Sequence, residues 1–417
     1  MKTIKGFDVK IFTDNVEQSA LDQINELLAI DVFADKKIRI MPDVHAGAGC
    51  VIGFTGDLGD KVIPNIVGVD IGCGMRVLNL GEIDEIDFHA FNQHILANVP
   101  SGKMAREDKH GFKPLVGEEM EIYREAKSLV QELRCYRELK ETNRINKSVG
   151  SLGGGNHFIE LDKDSEGNVY LVIHTGSRNL GKQVADIYQA RAIKHLTDGA
   201  DEFEQTIKDI ISSYKAAGRK SEIQAVITAM RRKQSVAKPS LPPDLCYVEG
   251  EGREDYLHDM RICQRWAVLN RKLISKLLMK FFGDIEVQEE FESVHNYISD
   301  DNIIRKGSIS AAEGEKCIIP LNMRDGSLIC VGKGNPDWNC SAPHGAGRIL
   351  SRAKAFEVVN MADFENSMKG IYSESVVDAT RDEAPMVYKP ASEIINNISD
   401  TVSILNVIKP IFNFKAS

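Results

Sequence analysis

The stretch "VGVDIGCGM", Val67 to Met75, places an aspartate and a cysteine three residues apart in a segment rich in glycine. Glycine adopts positive φ and lets backbone approach a ligand closely, so Gly68, Gly72 and Gly74 fit a hairpin or tight loop. They do not account for Cys73, because free cysteine is ordinarily a small buried hydrophobe and here it stands in a polar loop. Asp70 and Cys73 can aim one oxygen and one sulfur at a common ion, since carboxylate and thiolate both ligate first-row metals. Read alone, the nonapeptide fits a plainer turn better, with Asp70 capping the backbone and Cys73 packing.

Working outward, the same pattern recurs. "KIRIMPDVH", "NVYLVIHTGS" and "SLICVGKG" each run from a β-branched or apolar stretch into a polar turn, which predicts strands entering functional loops. Between them lie helical stretches at about 117–142, 201–233 and 254–282, the last stopped by Gly283. In that last helix Tyr256, Met260, Cys263, Ala267, Leu273, Leu277 and Phe281 fall near helical spacing and are expected in the core. A proline-bearing connector at 238–244 is the strongest internal boundary. Motif-bearing loops stand on both sides of the helical region, so it is expected to be an insertion, at 184–283, within one domain spanning 1–417.

The chain has 417 residues, 42% of them hydrophobic and 27% charged, the balance of a globular protein with ample material for a core. It has no apolar leader and no run long enough to cross a bilayer, so a cytoplasmic protein without a membrane partner is expected. Eight scattered cysteines without a CxxC pair argue against a zinc ribbon and a disulfide framework. A net charge of −9 excludes binding to nucleic acid through the whole surface; a polyanionic substrate would need locally gathered cations.

Ten histidines are present, and five stand in glycine-rich or polar loop contexts: His45, His157, His174, His295 and His344. His89, His94, His110, His195 and His258 lie in charged or helical text and read as surface or structural residues. Neutral imidazole is the commonest metal ligand and a suitable nucleophile, and five such residues near strand-like segments indicate a site.

Seven ordered motifs, "MPDVHAGAGCVIG", "IPNIVGVDIGCGM", "GSLGGGNHFIEL", "IHTGSRNLG", "RKGSISA", "SAPHGAGRILSR" and "NFKAS", resemble the RtcB family of RNA-splicing ligases over nearly the whole chain. The resemblance implies an α/β (α+β) fold, a single large domain with central mixed β-structure, an active-site cleft and a helical insertion. It implies a GTP- and Mn(2+)-dependent ligase joining RNA 3′-phosphate or 2′,3′-cyclic phosphate ends to 5′-hydroxyl ends, in RNA repair or tRNA splicing. A guanylated histidine and an RNA(3′)pp(5′)G intermediate belong to that reaction. By this likeness Asp70, Cys73, His157, His174 and His295 are ligands of two manganese ions, His344 is the nucleophile and Asp43 its orienting carboxylate. Asn156, Phe158, Glu160, Asn322, Ser327, Gly345, Gly347, Tyr388 and Lys415 correspond to guanine-nucleotide contacts. Arg178, Lys306, Arg348 and Arg352 correspond to RNA or phosphate contacts, Lys306 being expected on a basic loop. An archease-like activator and a monomeric state are further expectations. Where the family usually reads "PGSMG", this chain has Pro320-Leu321-Asn322-Met323-Arg324, with Asn322 in place of a serine. Two other functions fit part of the pattern: a metal-dependent RNA-end phosphoesterase, and a non-catalytic RNA-end sensor. His344 distinguishes them, since only the ligase needs a nucleophilic histidine.

Overall fold

In the computed structural model, which describes residues 1–106, 111–197, 200–233 and 239–416, the strand-like segments assemble into one sheet of thirteen strands. His110 and the first connector residue, Lys238, lie outside the described residues. From one edge the order is Lys2–Thr3, Val9–Ile11, Ile38–His45, Ile52–Asp57, Ile303–Ser310, Glu289–Ile298, Gly74–Glu82, Asn168–Thr175, Phe158–Lys163, Val402–Lys415, Gly326–Gly332 and Lys316–Asn322. Ser341–Pro343 adds to Ile303–Ser310 off this path. Among the strand ladders of the described residues only Val9–Ile11 and Ile38–His45 pair in parallel, and the others are antiparallel. This is the single mixed α/β domain that the sequence predicts.

The sheet folds over on itself. Ser293, on an inner strand, accepts a 3.0 Å hydrogen bond from the backbone of Ile318 at the far edge. Met75, Val77, Phe158 and Val172 accordingly share an apolar cluster with Ile318, Ile329 and Ile408. The opposite face carries Ile159, Leu161, Leu171 and Ile173, which join the main core with the helices. Alternation of side chains along each strand gives one face to the helices and leaves the other to line a cleft.

Helices fill the interval between the strands Asn168–Thr175 and Glu289–Ile298: Arg178–His195, Ala200–Ala216, Ile223–Lys233 and Gly250–Phe282. The last of these begins four residues earlier than the pattern suggests, and Gly283 at φ +66° stops it. Tyr256, Met260, Cys263, Ala267, Leu273 and Leu277 are buried as the spacing requires, while half-buried Phe281 packs its ring 5.0 Å from that of Phe91. The 117–142 stretch is a helix at Glu118–Glu132 followed by a separate short one at Thr142–Lys147, because Leu133 leaves the helical region. No described helix is long and apolar enough to cross a membrane.

Arg271 ties this helix to the cleft. Its side chain is fully buried, with Nη1 donating to the carbonyls of Gly72 and Thr175 at 2.9 Å and Nη2 to Glu292 Oε2 at 2.9 Å. Glu292 also holds Arg76 at 3.0 Å, so Arg271→Met leaves chiefly the Gly72 and Thr175 carbonyls without their donor. It is therefore expected to destabilise the fold by about 1–3 kcal/mol, measured as a lowered denaturant midpoint.

Candidate active site

The opening nonapeptide follows the short helix Pro64–Val67, turns through residues 68–73 and enters the strand Gly74–Glu82. It is docked by hydrogen bonds to the neighbouring strand: Gly72 N–H donates to Asn296 O at 2.9 Å, His295 N–H to Cys73 O at 2.8 Å, and Asn296 Nδ2 to Asp70 O at 3.2 Å. That strand is irregular between His295 and Tyr297, where Asn296 takes φ +75°. Such a bulge re-aims side chains, and here it accompanies the placement of His295 beside Cys73.

His157 precedes the strand Phe158–Lys163 and His174 lies at the end of Asn168–Thr175. Both set their tautomer by donating Nδ1–H to a carbonyl, His157 to Leu152 at 2.9 Å and His174 to Asn156 at 3.1 Å. Their Nε2 lone pairs are thereby free. Cys73 Sγ lies 3.5 Å from His157 Nε2 and 3.4 Å from His174 Nε2; His174 Nε2 is 3.4 Å from His295 Nε2, and His157 Nε2 is 3.1 Å from Asp70 Oδ2. These donors form two groups, Asp70 with Cys73 and His157, and Cys73 with His174 and His295, that share the sulfur. The glycine of "HTGSR" is required beside them: a Cβ on Gly176 would stand 2.3 Å from Asp70 Oδ1.

The electrostatics fit a cation at this place. Burial holds His174 and His295 well below the usual imidazole range, in the neutral form that ligates metals. Burial and the neighbouring Asp70 push the Cys73 thiol well up, so a thiolate here needs a cation to offset it. Burial acts upward on Asp70 too, but His157, Arg178 and Cys73 outweigh it and keep the carboxylate ionised. His295 Nδ1 is buried without a hydrogen-bond partner. A mixed oxygen, nitrogen and sulfur shell suits a transition metal better than magnesium.

His344 lies in the loop after Ser341–Pro343, its ring centroid 4.8 Å from that of His295. Fully buried Asp43, on the strand Ile38–His45, accepts His344 Nδ1–H at 2.7 Å and the His344 backbone N–H at 3.2 Å through the same Oδ2. The proton is therefore on Nδ1, and Nε2 keeps its lone pair. Gly347 makes this approach possible: it has φ +76°, and a Cβ there would meet Asp43 O at 2.2 Å.

A cavity of about 400 Å³ opens onto the pair. Asp70, Cys73, His174, His295 and His344 line it, with Asn156, Phe158, Glu160, Lys306, Asn322, Gly345, Gly347, Arg348, Arg352, Tyr388 and Lys415. Asp43 and His157 are not among its lining residues. The size suits a small organic ligand such as a nucleotide.

Several residues sit differently from expectation. Lys306 is on the strand Ile303–Ser310, not on a loop, and only 3% exposed; its ammonium clamps the carbonyls of Ala48 and Asn65. Arg178 is absent from the cavity wall and donates to Gly102 O and Ser151 Oγ at 3.0 and 3.3 Å. Ser327 is fully buried with an unpartnered hydroxyl. Asn322 spends its amide on its own turn, donating to Asp325 and accepting from the backbone of Arg324 and Asp325, because a side-chain amide two residues ahead of free N–H groups closes such turns. Among the remaining histidines, His89, His195 and His258 face carboxylates and His94 a backbone carbonyl.

Sequence reading misses Glu383 and Asp382. Glu383, 2% exposed, receives Lys415 Nζ at 3.1 Å, Arg352 at 2.9 Å, Arg348 at 3.3 Å and the Tyr388 hydroxyl at 2.7 Å. Burial pushes its pKa up, but Lys415, Arg352, Tyr388 and Arg348 together outweigh burial and hold it at about 2. No motif around it distinguishes it from an ordinary surface acid. Glu160 shows the opposite balance: burial raises it to about 7, against Lys415 and the Asn413 amide.

The residues of the cleft come from segments spread along the chain, and their order matches one family. The family model described as tRNA-splicing ligase RtcB matches residues 23–416. The chain belongs to the RtcB family. It is 29% identical to the RNA-splicing ligase RtcB of Escherichia coli (strain K12) over 438 residues, 98% of this chain and 97% of that protein. The tRNA-splicing ligase RtcB of Methanococcus maripaludis is 24% identical over 96% of this chain and 92% of its own length, and that of Aeropyrum pernix 26% over 85% and 82%. As an RtcB-family site, the cleft unites a sulfur-centred ligand cluster with a carboxylate-held histidine.

Two outcomes are expected. Cys73→Ala, which removes the donor common to both groups, should take up less divalent transition metal than the wild type while keeping its far-ultraviolet circular dichroism, measured by elemental analysis after metal loading. Glu383 has a folded pKa below the ordinary 4.5, so its stabilising contribution is complete above about pH 4.5 and is lost as the pH falls towards 2. Acid unfolding of Glu383→Gln should accordingly show a shallower loss of stability across that window than the wild type.

Proposed function

We propose that this RtcB-family protein is a GTP- and manganese-dependent RNA ligase that joins a 3′-phosphate or 2′,3′-cyclic phosphate end to a 5′-hydroxyl end through His344, in RNA repair or tRNA splicing. The observation that carries the reading is the single Oδ2 of Asp43 accepting both N–H groups of His344, which leaves Nε2 as a nucleophile on the wall of a cavity beside the Cys73 cluster. The names of its relatives support RNA as the substrate.

Asp70, Cys73, His157, His174 and His295 would hold two manganese ions, Cys73 being shared. Bound there, the metal neutralises charge on phosphoryl oxygens during transfer. His344 Nε2 attacks the α-phosphorus of GTP; the P–N bond forms and pyrophosphate leaves. Asp43 retains Nδ1–H and stabilises the positive ring that results, as the carboxylate of a catalytic pair does. Water first opens a 2′,3′-cyclic end, breaking the P–O2′ bond to give a 3′-phosphate and a 2′-hydroxyl; an oxygen of the RNA 3′-phosphate then takes GMP from His344, the P–N bond breaks, and RNA(3′)pp(5′)G is formed. The RNA 5′-hydroxyl displaces GMP, giving the phosphodiester. Phe158 and Tyr388 offer aromatic faces and Glu160 a carboxyl for the guanine. Arg348, Arg352 and Lys415, now shared with Glu383, supply the phosphate-facing charge.

A hydrolase or an RNA-end sensor does not require a nucleophilic histidine in a glycine-flanked loop, whereas the ligase does, and this favours the ligase. Incubated with manganese and GTP, wild-type protein should gain the mass of one GMP, detected by intact-protein mass spectrometry. His344→Ala should bind manganese and gain nothing. A metal-loaded wild type without the adduct would return the assignment to a phosphoesterase or a sensor.

A further inference from the structure

Lys389 follows the cavity residue Tyr388 but points elsewhere. It is 4% exposed, and Nζ donates to the carbonyls of Pro42 at 2.9 Å, Val44 at 3.1 Å and Asn15 at 3.3 Å, with a carboxylate oxygen of Glu393 at 3.7 Å. An ammonium has three donors, and three carbonyls take them. Pro42 and Val44 are the residues on either side of Asp43.

The strand carrying Asp43 needs such a partner. Its ladder with Ile52–Asp57 pairs Ile38, Arg39 and Ile40 in sequence, then shifts before His45, and its ladder with Val9–Ile11 covers only residues 38–40. Residues 41–44 therefore lie outside the regular pairing on both sides. Buried carbonyls without a ladder must find other donors, and the lysine ammonium supplies them.

The same residue holds the other half of the pair through its backbone. Lys389 N–H donates to Gly347 O at 3.0 Å, and Ile349 N–H donates to Val387 O at 2.8 Å, so the loop that carries His344 is stitched to residues 387–389. Side chain and main chain of one residue thus grip the two segments that must meet at the Asp43–His344 hydrogen bond.

We propose that Lys389 is a positioning residue for nucleotidyl transfer to His344, clasping the Asp43 strand with its ammonium and the His344 loop with its amide. The inference rests on the ligase reading above. It assigns Lys389 no contact with nucleotide or metal. Its effect falls on how often His344 Nε2 is aligned for attack, and an error of about 1 Å in such a position costs on the order of 10²-fold in rate.

The test compares wild type, Lys389→Met and Lys389→Arg in single-turnover formation of the GMP adduct at saturating GTP with manganese, together with equilibrium GTP affinity and manganese content. The expected result is a rate lowered about 10²-fold in Lys389→Met, with affinity and metal content within about twofold and partial recovery in Lys389→Arg. In an Asp43→Asn background, Lys389→Met should cost little more, because coupled residues are non-additive. An unchanged rate overturns the proposal. So does a loss that multiplies fully with Asp43→Asn, or one that appears as weaker GTP binding. Should Lys389→Met fail to fold, Lys389→Gln, which keeps an N–H donor without the charge, is read in the same way.

A wild type that forms no adduct would refute the ligase reading but not the clasp. Hydrogen exchange then decides: Lys389→Met or Lys389→Gln should exchange faster than wild type in both 41–47 and 344–349. Unchanged protection in either segment overturns the clasp.

Discussion

Whether a site exists at all depends on the register of the central strands. Met75 stands opposite His174, His174 opposite Phe158, and Gly74 opposite Val294. Side chains alternate across a strand, so a slip of one residue would turn His174 into the helix-packed core and expose Ile173 to the cleft. The apolar residues of the helix-facing side, Ile159, Leu161, Leu171 and Ile173, make such a slip costly. The packing on one face thereby fixes the chemistry on the other.

Charge in the cleft follows from the same burial. The protein is acidic as a whole, yet Arg348, Arg352 and Lys415 converge on one wall of the cavity. They are held by Glu383 and Asp382. An internal counter-ion keeps three neighbouring cations ordered in the absence of phosphate, at the expense of some of their attraction for it. The cations are pre-aligned instead of mobile, which lowers the entropy lost when an anion binds.

Much of this is legible in the sequence alone. Helix Gly250–Phe282 and the strands around "PDVH" and "VIHTG" announce themselves through apolar periodicity and glycine punctuation, and the five histidines in polar contexts indicate a site, whereas Asp70 and Cys73 read alone fit a plain turn and gain meaning only beside the other motifs. Residues whose role is set by a distant partner are not legible. Lys389 looks like an ordinary charge until the strand Ile38–His45, far away in the chain, encloses it, and Glu383 until Arg348, Arg352 and Lys415 gather around it. Lys306 and Arg178 belong with them: their basic motifs suggest phosphate contacts, while the ammonium takes the carbonyls of Ala48 and Asn65 and the guanidinium takes Gly102 O and Ser151 Oγ, partners that no local motif discloses. Asn322 is similar, since a turn competes for its amide.

The position of Val402–Lys415 bears on how the protein reaches this state. It lies between Phe158–Lys163 and Gly326–Gly332, so it is an interior strand that joins the two parts of the sheet. During vectorial synthesis the earlier strands wait with open edges, and open edges invite pairing with other chains. Closure is then a late event between segments remote in sequence, which slows folding. Lys415, carried on that strand, reaches the cavity only when the sheet is continuous, so a partly made chain cannot present the complete cavity.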